Sequence, residues 1–257
     1  LEGAKNLANK YKNVAIYESW QLLIKDQSID AVFISTLHDS LSEISYHSLL
    51  AGKNVFVEKP AAKSAKELLP VIKLAKDTSC KIRVGFNHRY HRAFQKAKKI
   101  LSENSFGELM FIRARYGHGA RLGYEKEWRA DPKLSGGGEL IDQGPHLIDL
   151  SRWIFGKSLE YSSGSLNSYF WEMPVEDNAF LILKTKKSQV AFLHVSCTEW
   201  KNTFSFEVYG KKGKLVIDGL GGSYGVERLT HYKMLPEMGP PETYIYEFPM
   251  SDNSWSL

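Results

Sequence analysis

The sequence predicts an α/β domain followed by an α+β domain: part of a parallel sheet with helical crossovers, then a domain built on an antiparallel sheet. Two observations carry this. Up to about residue 87, compact apolar runs alternate with segments of helical periodicity. From about Leu159 onward the signal is mostly strands joined by tight turns. A chain of 257 residues is long enough for two such domains and for a sizeable core.

Residues 1–11 place their apolar side chains at helical spacing. Residues 29–36, Ile-Asp-Ala-Val-Phe-Ile-Ser-Thr, form a compact apolar run of the kind expected of a strand buried on both faces. Residues 40–51 are helical and stop at Gly52, a residue suited to the left-handed turn after a helix. A second buried strand is expected at 54–58, a helix at 66–77 and a third strand at 81–86. Short links between alternating strands and helices imply a parallel sheet. Such sheets bind ligands beyond the carboxyl ends of their strands. Residues 35–38, 58–60 and 87–90 each follow a strand and are therefore candidates for chemistry.

Beyond residue 87 the pattern changes. Residues 93–101 read as a basic amphipathic helix, 109–116 as a strand and 140–155 as a helix. Strands follow at 179–185, 189–198, 204–209 and 214–218, with hairpin turns at 186–188 and 210–213. The expected domains are residues 1–87 and 88–257.

Several classes are disfavoured. Two cysteines, Cys80 and Cys197, lie far apart outside any CxxC pattern, which argues against a disulfide framework and a structural zinc site. No apolar run reaches the ~20 residues that cross a bilayer, and the first residues lack the apolar core of a signal peptide. A cytoplasmic protein is the expectation. The net charge of +5 is spread among acids, as on a solvated surface, so no nucleic-acid partner is expected.

A nucleotide-binding α/β domain opens with a strand, a glycine-rich turn and a helix, whose backbone N–H groups cradle pyrophosphate. The sequence starts inside what reads as a later helix, so that element and the ribose-binding acid are expected upstream of Leu1. Without it, the fragment is expected to bind a dinucleotide poorly. Residues 219–225, Gly-Leu-Gly-Gly-Ser-Tyr-Gly, break the GxGxxG spacing at Tyr224 and lie among antiparallel strands, so they read as a loop.

Two motifs remain. Glu58-Lys59-Pro60 ends a strand, where the Lys59 ammonium would polarise a substrate oxygen or simply be solvated. Residues 136–150, with three glycines followed by Asp142-Gln-Gly-Pro-His146, are the most informative segment. Asp142 and His146, four apart, would share a face of a continuous helix. Pro145 places a helix start or kink there. His146 has the intrinsic pKa of a general base near neutrality, with Asp142 to orient it or hold a hydroxyl. A capping aspartate and a structural histidine fit the spacing equally well. No third ligand at supporting spacing accompanies the pair, so no metal site is expected.

Taken together, these segments resemble the Gfo/Idh/MocA oxidoreductases. The resemblance rests on Ile34-Ser35-Thr36 after a strand, Ala51-Gly52-Lys53-Asn54-Val55-Phe56-Val57-Glu58-Lys59-Pro60, Gly85-Phe86-Asn87-His88-Arg89-Tyr90, Trp128-Arg129, the triple-glycine Asp-x-Gly-x-His segment and residues 208–215. It implies a partial Rossmann-type domain, then a domain with a large open antiparallel sheet, and NAD or NADP as cofactor. By this resemblance His146 is the general acid/base, Lys59 binds the reacting oxygen and Asp142 supports the substrate. Ser35, Thr36, Leu37, His38, Glu58, Lys59 and Asn87 fall where the nicotinamide half is lined, with Trp128 and Arg129 more loosely placed. Leu37, His38 and Leu41 depart from the family's Thr-Pro-Asn and following histidine, which alters the expected dinucleotide contacts.

The family's substrates are sugars, nucleotide sugars and cyclitols. Arg115 and His118, on the segment 113–121, are candidates to meet a carboxylate or phosphate of such a substrate, or else face solvent. The leading expectation is reversible oxidation of a secondary alcohol. The rivals are an NAD-dependent glycosidase of the same fold and a non-catalytic nucleotide-sensing regulator. A broad sheet needs its second face covered, so a homodimer or homotetramer is expected. The C-terminal segment, through Trp255-Ser256-Leu257, reads as shorter than is usual in the family.

Overall fold

Short strands alternate with helices in the first part of the chain: α1 (Glu2–Ala8), α2 (Trp20–Lys25), β1 (Ala31–Ile34), α3 (His38–Leu50), β2 (Asn54–Val57), α4 (Ala65–Asp77) and β3 (Ile82–Val84). The strands pair in parallel in the order β1-β2-β3, with Val32 opposite Val55 and Val55 opposite Ile82. The computed structural model describes residues 2–11, 14–103 and 106–249, and the chain divides into two compact units, Leu1–Gly85 and Phe86–Leu257. The segment 250–257 lies outside the described residues.

Local chemistry sets the helix ends in the first unit. Ser19 Oγ accepts from the Leu22 N–H to start α2, a helix not expected from the sequence pattern. Ser64 Oγ accepts from the Glu67 N–H at 3.3 Å and the Glu67 carboxylate accepts from the Lys63 N–H at 3.2 Å, so a serine and the acid three residues later satisfy donors at the start of α4. At the end of α3 the Ala51 N–H donates to the His47 carbonyl, and Gly52 turns the chain at φ +77°.

One expectation about these strands fails. They are not buried on both faces: Val32, Ile34, Val55 and Val57 are buried, whereas Phe33 is 77% exposed and Phe56 is exposed and stacked on it at 5.4 Å. The period-two alternation sends one set of side chains into a core with Ile24, Leu41, Ile44, Leu49 and Val71 from α2, α3 and α4, and the other set outward. An apolar run does not by itself separate a strand covered on two sides from one covered on a single side.

The second unit opens with a 3-10 turn, Asn87–Tyr90, followed by α5 (Arg92–Leu101) and β4 (Leu109–Gly117). Further 3-10 turns, Tyr124–Lys126 and Trp128–Ala130, lead to α6 (Pro132–Ser135), α7 (Glu139–Asp142) and α8 (Gly144–Phe155). Then come β5 (Glu160–Asn167), β6 (Asn178–Lys184), β7 (Val190–Ser196), β8 (Thr203–Gly210), β9 (Gly213–Asp218), β10 (Glu227–Lys233) and β11 (Glu242–Phe248). Among the described residues these make an eight-stranded sheet in the order β11-β10-β9-β8-β4-β7-β6-β5.

The sheet is mixed rather than wholly antiparallel. β4 and β7 run parallel, Ile112 opposite Ala191 and Tyr116 opposite Val195, while every other neighbouring pair is antiparallel. The basic helix α5 buries Ala93, Phe94, Ala97 and Ile100, and α8 buries Leu147, Leu150 and Ile154. These side chains share a core with Ile112, Ala114, Phe206 and Val208 from the sheet. Truncating Phe94 or Leu150 to alanine there costs about 3–5 kcal/mol. No helix among the described residues is long and apolar enough to cross a membrane.

The run expected to form one helix over 140–155 is two helices broken at Gln143. Pro145 lies in the first turn of α8, where its missing N–H costs nothing. The break has a second anchor upstream. The Gly138 N–H donates to Glu176 Oε2 and the Leu140 N–H to Glu176 Oε1, both at 3.0 Å, and the Glu139 N–H donates to the Glu176 carbonyl at 3.1 Å. A Cβ on Gly138 would lie 1.9 Å from that carbonyl oxygen, so only glycine allows the approach. Gly138→Ala is expected to lower stability by about 3 kcal/mol or more through the clash and the lost hydrogen bonds. Gly239→Ala, where an added Cβ meets nothing within 4 Å, is expected to stay within ~0.5 kcal/mol. Urea unfolding of the two variants checks both; equal midpoints would contradict the reading of Gly138.

Candidate active site

In the first unit the candidate residues cluster after the strands. Ser35, Thr36 and Leu37 are exposed between the end of β1 and the start of α3. Ser40 Oγ donates to Thr36 Oγ1 at 2.8 Å, which pins this turn to the first turn of the helix. His38 opens α3 and is buried, and Leu41 is fully buried in the core, a packing role that explains a leucine there. Glu58 is exposed after β2. Its carboxylate accepts from the Lys59 N–H at 3.1 Å, and its backbone N–H donates to the Ile34 carbonyl, tying the ends of β1 and β2. Lys59 is half-buried and precedes a cis proline, Pro60.

The second unit carries the denser cluster. Asp142 ends α7 and His146 lies in the first turn of α8, both buried. Asp142 Oδ2 accepts from Arg129 Nε at 3.1 Å, and the Arg129 guanidinium lies 4.6 Å over the Trp128 ring. The His146 ring stacks on His88 at 3.9 Å and meets Tyr116 at 5.9 Å. Glu139, fully buried one turn before Asp142, accepts from the Tyr124 hydroxyl at 3.0 Å and lies 3.6 Å from His118 Nε2. A cavity of about 240 Å³ is lined by His88, His91, Tyr116, Leu220, Gly221, Ser223 and Tyr224. Burial, followed by the influence of Tyr224, Asp142 and Glu139, holds the Tyr116 hydroxyl well above its ordinary pKa, and burial pushes Tyr224 up to about 12. Both are neutral donors at physiological pH.

Of the residues singled out in the sequence, Trp128, Arg129, His118, Asp142 and His146 come together in the second unit. Asn87 joins them through Oδ1, 3.0 Å from His88 Nδ1. Arg115 does not. It alternates with Ala114 and Tyr116 along β4, projects from the sheet face opposite Tyr116, and pairs with Glu199 at 3.8 Å. The sequence placed His88 in the candidate segment 87–90 without giving it a role, and Tyr116, Glu139, Tyr124 and Tyr224 were not singled out. Tyr116 was open to detection, since the same period-two rule that carries Ile112 and Ala114 into the core carries it toward α8.

The first unit is a parallel α/β sheet with polar residues beyond its strand ends, and the second is a mixed-sheet unit that buries Asp142 and His146. Residues 1–86 match the family model described as an oxidoreductase family with an NAD-binding Rossmann fold, and residues 94–216 match the GFO/IDH/MocA C-terminal domain. The chain belongs to the Gfo/Idh/MocA family. It is 29% identical over 194 residues to trans-1,2-dihydrobenzene-1,2-diol dehydrogenase of Xenopus tropicalis, covering 75% of this chain and 57% of that one. It is 30% identical over 228 residues to levoglucosan dehydrogenase of Pseudarthrobacter phenanthrenivorans, covering 77% and 58%. The chain thus spans less than two thirds of the length of these relatives. Its fold matches that of a levoglucosan dehydrogenase solved with NADH and levoglucosan, with a TM-score of 0.85 at 22% identity over 96% of this chain and 69% of the other.

The charges around His118 give the cluster a measurable signature. Burial lowers the His118 pKa, the Asp142 carboxylate opposes this and the Arg129 guanidinium reinforces it. The Ala120 N–H donates to Nδ1 at 3.1 Å, so the ring proton sits on Nε2, toward Glu139. Arg129→Met removes a repelling cation and is expected to raise the His118 titration midpoint; Asp142→Asn removes an attracting anion and is expected to lower it. An NMR titration of the imidazole checks the signs, and shifts in the same direction would show that these groups do not surround His118 as described.

Proposed function

We propose that this chain carries the reacting centre of an NAD(P)-dependent dehydrogenase that oxidises a secondary alcohol of a sugar, nucleotide sugar or cyclitol. The observation that carries this reading is His146, a buried imidazole at the start of α8 against the Tyr116 ring and close in sequence to Asp142, which Arg129 holds. A histidine so placed can accept a hydroxyl proton near neutral pH. Lys59, after β2, offers an ammonium that would steady negative charge developing on a substrate oxygen. Asp142, itself fixed by Arg129, holds a second hydroxyl.

In the first unit, Ser35, Thr36, Leu37, His38, Glu58 and Lys59 would hold the nicotinamide half of the cofactor. The exposed polar turns after β1 and β2 suit that group, because an α/β sheet offers ligands its backbone and side chains beyond the strand ends. When bound, the nicotinamide supplies the hydride acceptor. The outward face of the mixed sheet, where Phe111 stacks on Tyr209 and Phe180 on His194 beside exposed Phe192, is the surface a second copy would cover in a homodimer or homotetramer.

The test is to mix the full-length protein with NAD or NADP and a panel containing levoglucosan, trans-1,2-dihydrobenzene-1,2-diol, free sugars, nucleotide sugars and cyclitols. Nicotinamide absorbance is followed and products are weighed by mass spectrometry. The expected result is cofactor reduction matched to a two-hydrogen mass loss from one compound, with kcat falling at least ~100-fold in His146→Ala. Glycoside cleavage without net reduction, or full turnover by His146→Ala, would contradict the proposal.

A further inference from the structure

Three histidine rings meet in the second unit, and the proposed reaction uses one of them. His88, in the 3-10 turn Asn87–Tyr90, lies 3.9 Å from the His146 ring and within 27° of parallel. His91 meets His88 at 5.4 Å and 69°, and its Nδ1 is 3.2 Å from Glu227 Oε2. Tyr116 and Phe204 pack on His88 at 5.3 and 6.1 Å. All three histidines are buried. The His88 ring is therefore clamped by aromatic contacts and by its Nδ1 on Asn87 Oδ1, and it offers its face to His146.

Two imidazoles held face to face away from water repel strongly when both are protonated. Such a pair takes up protons as a unit, in two steps that belong to neither ring alone. We propose that His88 is a positioning residue for His146: the stacked ring fixes the plane of the His146 imidazole, and a proton on either ring disfavours one on the other, so the two titrate as a unit. This rests on the reading of His146 as the acid/base.

The other charged or titratable groups around the pair come from each neighbouring element. Asp142, with Arg129 on it, and Glu139 lie on α7. Asp149 on α8 pairs with Arg89, next to His88. Glu227 of β10 lies behind His91, and the Tyr116 hydroxyl belongs to β4. The mutual exclusion of protons is specific to the stacked pair.

The experiment is an NMR pH titration of the imidazole carbon-bound protons in the 257-residue chain and in its His88→Phe variant, with signals assigned through His146→Gln. Phenylalanine keeps the stacked ring and removes the titration. In the unsubstituted chain the His146 signal is expected to move in two steps, with matching steps at His88. In His88→Phe it is expected to move in one step, its midpoint raised by at least about half a unit, roughly a threefold gain in proton affinity. Should the variant not fold, the two-step curve of the unsubstituted chain decides alone. A single His146 step that is the same in both proteins, or no step in either, overturns the proposal. Because this readout needs no substrate, it separates two failures. A two-step titration with an active His146→Ala enzyme would sink the acid/base reading, and an uncoupled titration with an inactive one would sink the pairing.

Discussion

The approach of the Gly138 backbone to Glu176 is the constraint on which the second unit's chemistry depends. Glu176 gives both carboxylate oxygens and its carbonyl to successive N–H groups at the start of α7. That short helix then delivers Glu139 and Asp142 inward, and the break at Gln143 lets α8 set off with Pro145 and His146 in its first turn. Glu176 is itself held in place by the next residue. Asp177 is fully buried, and its carboxylate accepts from the N–H groups of Tyr169, Phe170 and Trp171. Burial alone would raise the Asp177 pKa; these donors and the Asn178 amide outweigh it and hold the group below its ordinary value. A backbone contact that only glycine permits thus fixes where Asp142 and His146 are presented.

Around that frame the polar groups are paired or kept neutral rather than left as isolated charges. Arg129 answers Asp142, and Arg89 answers Asp149. Glu227 faces His91, and the Tyr124 hydroxyl donates to Glu139. Burying a charge without such partners is costly. The tyrosines resist ionisation, so they supply donors without adding charge. The hydride transfer proposed for this chain would draw on fixed donors and a base held in such surroundings.

Much of the fold was readable because it is set locally. The αβ alternation, the stop at Gly52, the turn at 186–188 and the hairpin at Lys211-Lys212 depend on residues close in sequence. The parallel pairing of β4 with β7 was not readable, since its partners are brought together by three helices and two strands lying between them. The exposure of Phe33 and Phe56 was misread because an apolar run is silent about how many faces are covered. At the candidate site, Asp142 and His146 stood out by spacing. Arg115 attracted attention by its charge, although strand alternation sends it to the far face. His88 lay in the candidate segment 87–90 but was given no role, because it is far from His146 in sequence, and Glu139 reads as an ordinary helical acid until its burial is known.

The most direct test of the central claim is a crystal structure of the full-length protein with nicotinamide cofactor and a sugar it turns over. The account predicts the reacting hydroxyl within ~2.6–3.2 Å of a His146 ring nitrogen, directly or through one water. A reacting hydroxyl that instead meets another acid or base, with His146 remote from it, would contradict the account.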